Sequence, residues 1–374
     1  MNKRVLYIGG FELPDKNAAA QRVVANAKIL REVGYEVLFS GITHADDFRG
    51  EVEGFGYESI AYPRSLKDWF VYLTSIRFQK LIEEYRPSII IAYNYPSVAL
   101  NRLLKYCRKR GIKVVGDLTE WYSPTNPLKA ADTSYRMKCV NKKLDGQIVI
   151  SRLLADYYKR HKTLLLPPLV DLSQEKWSSV DSANRGENVR LVYVGSPGAG
   201  WKDRLDLIVD FVVNQELVNK VSLIIIGITK KQFETTFQRE EKEIKNVEFM
   251  GRLPHLESID ILKKSDFQIF IRSNTRVNNA GFPTKFVEAI SAGIPVITNL
   301  TSNLNDYLID GVNGFIVETT TDKSLEEGLE RAIKCSRSQI EQMKRYCLES
   351  KIFDCLNYTA DVSAFLNGLD SSNN

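Results

Sequence analysis

Residues 266–298 read DFQIFIRSNTRVNNAGFPTKFVEAISAGIPVIT, and this stretch decides the fold. Phe267 to Ile271 is a short apolar run with the look of a buried strand, and Ile294 to Thr298 is another. Between them Pro283 stands where a helix begins, since proline has no N–H to lose in a first turn. Gly293 stands where that helix stops. Strand, polar loop, helix and strand make a right-handed βαβ crossover. The loop Arg272 to Phe282 leaves the carboxyl end of the first strand, where open α/β sheets place their ligands. The following helix aims its first N–H groups and the positive end of its dipole at whatever the loop holds, which favours an anion. Thr284 and Glu288 are four residues apart and share a helix face. Lys285 at that end suits a phosphate. Glu288, one turn on, suits a ribose diol, because a carboxylate only accepts hydrogen bonds. The alternative is a solvated Lys285–Glu288 pair, worth a few tenths of a kcal/mol.

The segments Gly281 to Ala289 and Ala292 to Ile297 resemble the nucleotide-sugar signature of the family 4 glycosyltransferases. That resemblance implies a retaining enzyme of the two-domain GT-B fold. Many members carry two glutamates eight residues apart here. Glu288 matches the second, and Ala280 stands at the place of the first.

The chain has 374 residues, room for two domains of ordinary size. Its hydrophobic fraction is 44% and its charged fraction 26%, values of a soluble globular protein. No apolar run approaches the length of a membrane span, and the N-terminal run is too short for a signal peptide. Five cysteines without a C-x-x-C pattern point to reduced thiols in a cytoplasm. Three scattered histidines make a His-based metal site improbable. Residues 1–170 hold 27 Lys+Arg against 17 Asp+Glu, a net +10, while the rest of the chain nets −5. A basic first half is either an ordinary solvated surface or the footprint of an anionic partner such as an acidic membrane face.

The chain reads as two alternating β/α series. The first has strands at Arg4–Ile8, Val37–Phe39, Ile89–Ala92, Lys113–Val115, Gln147–Ile150 and Leu164–Leu166. Its helices are expected at Ala18–Val33, Trp69–Tyr85 and Val98–Arg110. Pro167-Pro168 is the hinge, followed by a polar, irregular stretch at Ser173–Asn188. The second has strands at Val189–Val194, Val221–Ile226 and Val247–Met250, then the opening stretch, then a turn and closing strand at Gly311–Val317. Its helices are expected at Arg204–Val218 and Ile259–Lys264. The expected architecture is α/β, with two Rossmann-like doubly wound parallel-sheet domains facing a cleft. The domains are 1–168 and 169–352, and a C-terminal helix from about 353 to 374 crosses back to the first, as the GT-B resemblance implies. Gly9-Gly10 after the first strand is not a dinucleotide fingerprint. In the resembled family the turn at Gly10 faces the donor phosphate.

In the second domain the glycine loop Gly195 to Lys202, the turn Gly251-Arg252-Leu253-Pro254, and Thr284, Lys285 and Glu288 are the expected nucleotide contacts. "YVGSPGAGWKDRLDLI", "EFMGRLP" and "SDFQIFI" fall in the family's order and spacing. Lys202 is placed to neutralise phosphate. Arg272 either binds donor phosphate or fixes its loop through a carboxylate. Asn279, Ala280, Gly281, Phe282 and Pro283 are expected around the donor sugar. In the first domain the acceptor loops are Asn94 with its neighbours, and Asp117, Glu120, Trp121 and Tyr122. Many relatives place a histidine here, where this chain has Gly116 and Asp117. Asp117 and Glu120 are expected to touch acceptor or donor sugar, or else to cap a loop.

The implied chemistry is glycosyl transfer from a nucleotide-diphosphate sugar, UDP first and GDP next, to a saccharide or lipid-linked acceptor. Lys202, Lys285 and Arg272 offset the charge of the leaving diphosphate. The chain contains no Asp-x-Asp, so no metal and no cofactor are expected. No nucleic-acid partner is expected. A sugar-nucleotide 2-epimerase and a non-catalytic two-domain sugar-binding protein are the competing readings.

Overall fold

The computed structural model describes residues 3–14, 17–45, 48–122, 124–178, 188–197, 202–213, 220–239 and 246–370. Residues 198–201 of the expected glycine loop, 214–218 of an expected helix, 179–187 of the polar stretch and the tail 371–374 lie outside them.

The chain divides into two compact units. One is residues 1–171 with 279–282 and 355–374, and the other is 172–278 with 283–354. The sheet of the first unit runs, edge to edge, Thr163–Leu165, Gly146–Val149, Lys113–Leu118, Ile89–Tyr93, Arg4–Gly9, Glu36–Ser40, Phe55–Glu58 and Arg49–Val52. Every pair is parallel except the last, an antiparallel hairpin. The hairpin turns on Glu53 and Gly54, both at positive φ (51° and 81°), the pattern of a type I′ turn that matches strand twist. The sequence reading missed this hairpin. It also expected one helix at Trp69–Tyr85, where there are two, Leu66–Thr74 and Gln79–Tyr85. Ser75 is extended (φ −111°, ψ 155°) and ends the first of them.

Helix Ala18–Glu32 starts at Asn17, whose side chain accepts from the Ala20 N–H, and it buries Val23, Ala27 and Leu30. The final helix, Thr359–Asp370, packs against Ala18–Glu32 and the edge strand Thr163–Leu165. The Cys355 N–H donates to the Val170 carbonyl at 2.8 Å.

The sheet of the second unit runs Val247–Gly251, Val221–Ile226, Val189–Val194, Phe267–Phe270, Val296–Thr298 and Gly314–Ile316, all parallel. Strand order reverses at Val189–Val194, so the topological switch point lies at its carboxyl end, at Gly195. There Gly195 and Gly227 take φ of +125° and +111°, and a Cβ on Gly227 would stand 2.5 Å from the Gly195 carbonyl oxygen. Only glycine lets two strand ends approach this closely. Helix Thr284–Ser291 follows Pro283, which is the N-cap and not the first helical residue, and Gly293 (φ +76°) follows its C-cap. The loop before it is not wholly irregular, since Arg276–Ala280 forms a short helix.

Candidate functional site

Helix Thr284–Ser291 is buried along most of its surface. Its half-buried positions are Thr284, Lys285 and Glu288, the three residues singled out for nucleotide contacts. Lys285 reaches back to the switch point, and its Nζ would lie 3.3 Å from a Cβ on Gly195. It sits 4.0 Å from the centroid of the Tyr193 ring and pairs with Asp203. Asp203, beside Lys202, forms an isolated antiparallel bridge with Arg272. Its Oδ2 accepts from the Tyr193 hydroxyl at 2.8 Å, and its Oδ1 lies 3.3 Å from Arg272 Nε.

Arg272 is held in place from several sides. Its N–H donates to Asn299 Oδ1 at 2.8 Å, and its Nη2 donates to Asn278 Oδ1 at 3.0 Å. Asn278 Nδ2 donates in turn to the Lys202 carbonyl at 3.0 Å and the Ser273 carbonyl at 2.7 Å. The structure thus brings Arg272 and Lys285 together at one carboxylate, with Lys202 its neighbour in the chain, and Arg272 both fixes its loop and faces Asp203.

The electrostatics follow from that count. Burial works to raise the Asp203 carboxyl, but the charges of Lys285 and Arg272 and the hydrogen bonds from Lys285 and Tyr193 outweigh it, holding Asp203 below its usual range. Burial pushes Lys285 below the usual lysine range. The Asp203 carboxylate opposes that push, while the charges of Arg272 and Lys202 add to it. One buried and one half-buried cation face one buried acid, an arrangement that favours an added anion.

Sequence reading missed Asp203, Tyr193 and Asn278 here, and it also missed His255. Nε2 of His255 lies 3.2 Å from Glu288 Oε1, so Glu288 is oriented from the start of helix His255–Lys263. The expected turn lies just before that helix, with the Gly251 carbonyl accepting from the Gly227 N–H at 2.7 Å, Arg252 exposed and Leu253 half-buried. Ala280, Gly281, Phe282 and Pro283 are buried and Asn279 is half-buried. Within the first unit, Ser151 Oγ donates to the Ala280 carbonyl at 2.8 Å.

The first unit holds a second buried acid. Asp117 is 0% exposed. Arg22 donates to it through Nη2 at 2.8 Å and through Nε at 3.1 Å, and the Tyr7 hydroxyl donates at 2.6 Å. Arg22 Nη1 also ties down the carbonyls of Leu166 and Pro167, each at 3.1 Å. Of the two readings of Asp117, a sugar contact or a structural acid, this environment favours the second: its oxygens are engaged and it has no exposed surface.

The neighbouring loops are different. Gly10 is exposed, and Asn94 and Glu120 are half-buried. Asn94, at φ 42°, donates to Thr119 Oγ1 at 2.7 Å and so joins two strand ends. Arg136, only 6% exposed, donates through Nη1 to the Asn94 carbonyl at 2.7 Å, and burial pushes its guanidinium down. It opens a π-helical turn, Arg136–Val140, that sequence reasoning did not foresee. Trp121 stacks edge-on against Tyr157 at 4.6 Å, and Tyr122 is 47% exposed.

Residues 179–347 match the family model described as glycosyl transferases group 1. No curated protein matches the chain in sequence. Among solved structures, the chain is similar to sucrose-phosphate synthase from Thermosynechococcus elongatus, at 13% identity and a TM-score of 0.73, with 99% of this chain and 100% of that one covered. It is similar to the catalytic domain of starch synthase IV from Arabidopsis thaliana, bound to ADP and acarbose, at 12% identity and TM-score 0.72, with 99% and 100% covered. It is also similar to Anabaena HepE in complex with UDP, at 14% identity and TM-score 0.67, with 98% and 100% covered. Residues 179–347 thus match the glycosyl transferases group 1 family model, and the chain shares the fold of these solved structures over nearly its whole length.

Proposed function

We propose that the second unit binds the diphosphate of a nucleotide sugar at Lys285, Arg272 and Lys202, and that the first unit binds the acceptor. The observation carrying this reading is the pairing of Lys285 and Arg272 with one carboxylate, Asp203, at the switch point of the second sheet. The N-terminus of helix Thr284–Ser291 adds its dipole at the same place. Thr284 lies on that first turn. Glu288, steadied by His255, takes the ribose hydroxyls, and the backbone of the turn Gly251 to Leu253 borders the base. Asn279 to Pro283 bound the donor sugar.

The reaction is transfer of the glycosyl group from C1 of the donor to an acceptor hydroxyl, with no metal. The bond from C1 to the β-phosphate oxygen breaks as the acceptor oxygen bonds to C1. The departing phosphate takes the acceptor proton. Positive charge from Lys285, Arg272 and Lys202 steadies the growing negative charge on the diphosphate. With alanine at position 280 there is no carboxylate there to form a glycosyl-enzyme bond, which supports front-face substitution with retention of the anomeric centre. The acceptor is a saccharide or a lipid-linked saccharide of the kind built into cell-surface polysaccharide, and Glu120, Asn94 and Tyr122 are its proposed contacts.

The donor is found by a thermal-shift screen with UDP-, ADP-, GDP-, dTDP- and CMP-sugars. A ligand at a hundred times its Kd stabilises by about 2.7 kcal/mol, so the correct nucleotide stands out. NMR of the product then reports the anomer, and an inverted product would overturn the front-face reading. Formation of an epimer without any acceptor would overturn transfer itself.

A further inference from the structure

Helix Leu66–Thr74 has no buried residue, although its sequence is apolar. Leu66, Trp69, Phe70 and Leu73 fall at i, i+3, i+4 and i+7, the spacing of an apolar stripe on one helical face. In a core-facing helix that stripe would be covered. Here the four residues are 91%, 36%, 68% and 39% exposed. The side that packs inward carries Tyr72, whose ring meets Tyr95 at 6.3 Å. Leu128, on helix Pro127–Tyr135, is also 80% exposed. The two helices are joined through Ser97–Arg108, which packs against both.

Charge close to the stripe in sequence is mainly positive. Between residues 64 and 80 the cations are Arg64, Lys67, Arg77 and Lys80, and Asp68 is the only acid. Asp68 is engaged in the capping box with Ser65. Arg102 Nη1 donates to the Thr74 carbonyl at 2.6 Å, so a fifth cation closes the helix end. An exposed apolar stripe bordered by lysine and arginine fits an anionic lipid surface, with side chains entering the acyl boundary and cations meeting headgroups. Nine residues rise only about 14 Å, far too short to span a bilayer, so the helix would lie in the interface plane. A second copy of the chain is disfavoured, because it would set two like-charged rims against each other.

We propose that helix Leu66–Thr74 docks the first unit on an anionic membrane surface. The place of this face within the unit gives the docking a use. The Tyr72 ring meets Tyr95, the residue after Asn94, so the helix adjoins one of the strand-end loops proposed to hold the acceptor. The inference thus rests on, and deepens, the reading of a lipid-linked acceptor.

The test is co-sedimentation of the full chain with vesicles of phosphatidylcholine alone, or with about a third phosphatidylglycerol, in the absence of donor and acceptor. The wild type should sediment with the anionic vesicles, not the neutral ones, and should be released by high salt. Leu66→Ser with Phe70→Ser should lower vesicle affinity at least tenfold, roughly what two lost apolar anchors imply. Arg64→Gln and Lys67→Gln should each lower it about fivefold. Nucleotide binding and thermal stability should be unchanged in all of these variants. Absence of vesicle binding, equal binding by wild type and Leu66→Ser/Phe70→Ser, or a sedimentation-velocity dimer abolished by those substitutions would overturn the proposal. Because the assay contains no substrate, its failure leaves the transfer reaction standing. A purely soluble acceptor would remove the lipid-linked reading without affecting vesicle binding.

Discussion

Asp117 and Asp203 are the same device built twice, with one difference. Each is a buried carboxylate near the carboxyl end of its sheet. Each accepts a hydrogen bond from a tyrosine on a central strand, Tyr7 at 2.6 Å and Tyr193 at 2.8 Å. Each faces an arginine, Arg22 or Arg272. The second acid also carries Lys285. One acid against one cation is a closed pair, and in the first unit it serves structure by anchoring the carbonyls of Leu166 and Pro167. One acid against two cations, with Lys202 acting on Lys285 as well, is an open arrangement. A buried ion pair is thus not evidence of a binding site by itself, and the balance of charge around it separates structure from function.

The comparison can be broken in four ways. Asp117→Asn should be the most damaging to the fold, because Arg22 would be left as a buried charge. The expected loss is about 3–5 kcal/mol in denaturant unfolding. A loss below about 1 kcal/mol would mean the pair is not a closed structural one. Lys285→Met should do the reverse. It restores the one-to-one balance around Asp203, so unfolding should barely change while turnover falls about 100–1000-fold. A variant that unfolds easily and turns over normally would exchange the roles assigned to the two sites.

Glu288→Gln should weaken donor binding by about tenfold, since a charge-assisted hydrogen bond to the ribose becomes a neutral one. His255→Ala should do the same to a smaller degree, through Glu288. Calorimetry with the nucleotide identified above reads both. The smallest effect concerns acid. Because Asp203 titrates below its unfolded value, its contribution is full above about pH 4 and is lost as pH falls through the folded value. Asp203→Asn should therefore be less stable at neutral pH yet lose less on acidification below pH 4. An unchanged acid profile would show that Asp203 is not held by its cations.

Much of the second sheet was legible in the chain. Val189–Val194 and Val221–Ile226 are bounded apolar runs and form strands with those ends. A strand buried on both faces writes itself as a continuous run, whatever surrounds it. The hairpin Arg49–Glu58 was invisible because Arg49, Gly50 and Glu51 are exposed and carry no apolar alternation. The sequence reading placed one helix at Trp69–Tyr85, and only the structure shows Leu66, Phe70 and Leu73 facing outward.

At the candidate site, Lys285 and Arg272 drew notice because one follows Pro283 by two residues and the other follows the strand Phe267–Phe270 by two. Asp203 did not, because a carboxylate next to a more conspicuous lysine gives no sign of which side of the backbone it takes. Tyr7, Arg22 and Asp117 meet across separations of up to 110 residues, which no local pattern encodes. For that reason the sequence left Asp117 open between a sugar contact and a structural acid, and its partners in space favour the second.

The central claim is that the positive charge around Asp203 receives the donor's diphosphate. Its most direct test is titration calorimetry of the wild type and Lys285→Met with UDP, ADP and GDP at low and high salt. The account predicts that one nucleotide binds the wild type, more weakly as salt rises, and that Lys285→Met weakens it by roughly tenfold or more. Equal affinity in the two proteins, or no binding of any nucleoside diphosphate to the wild type, would contradict it.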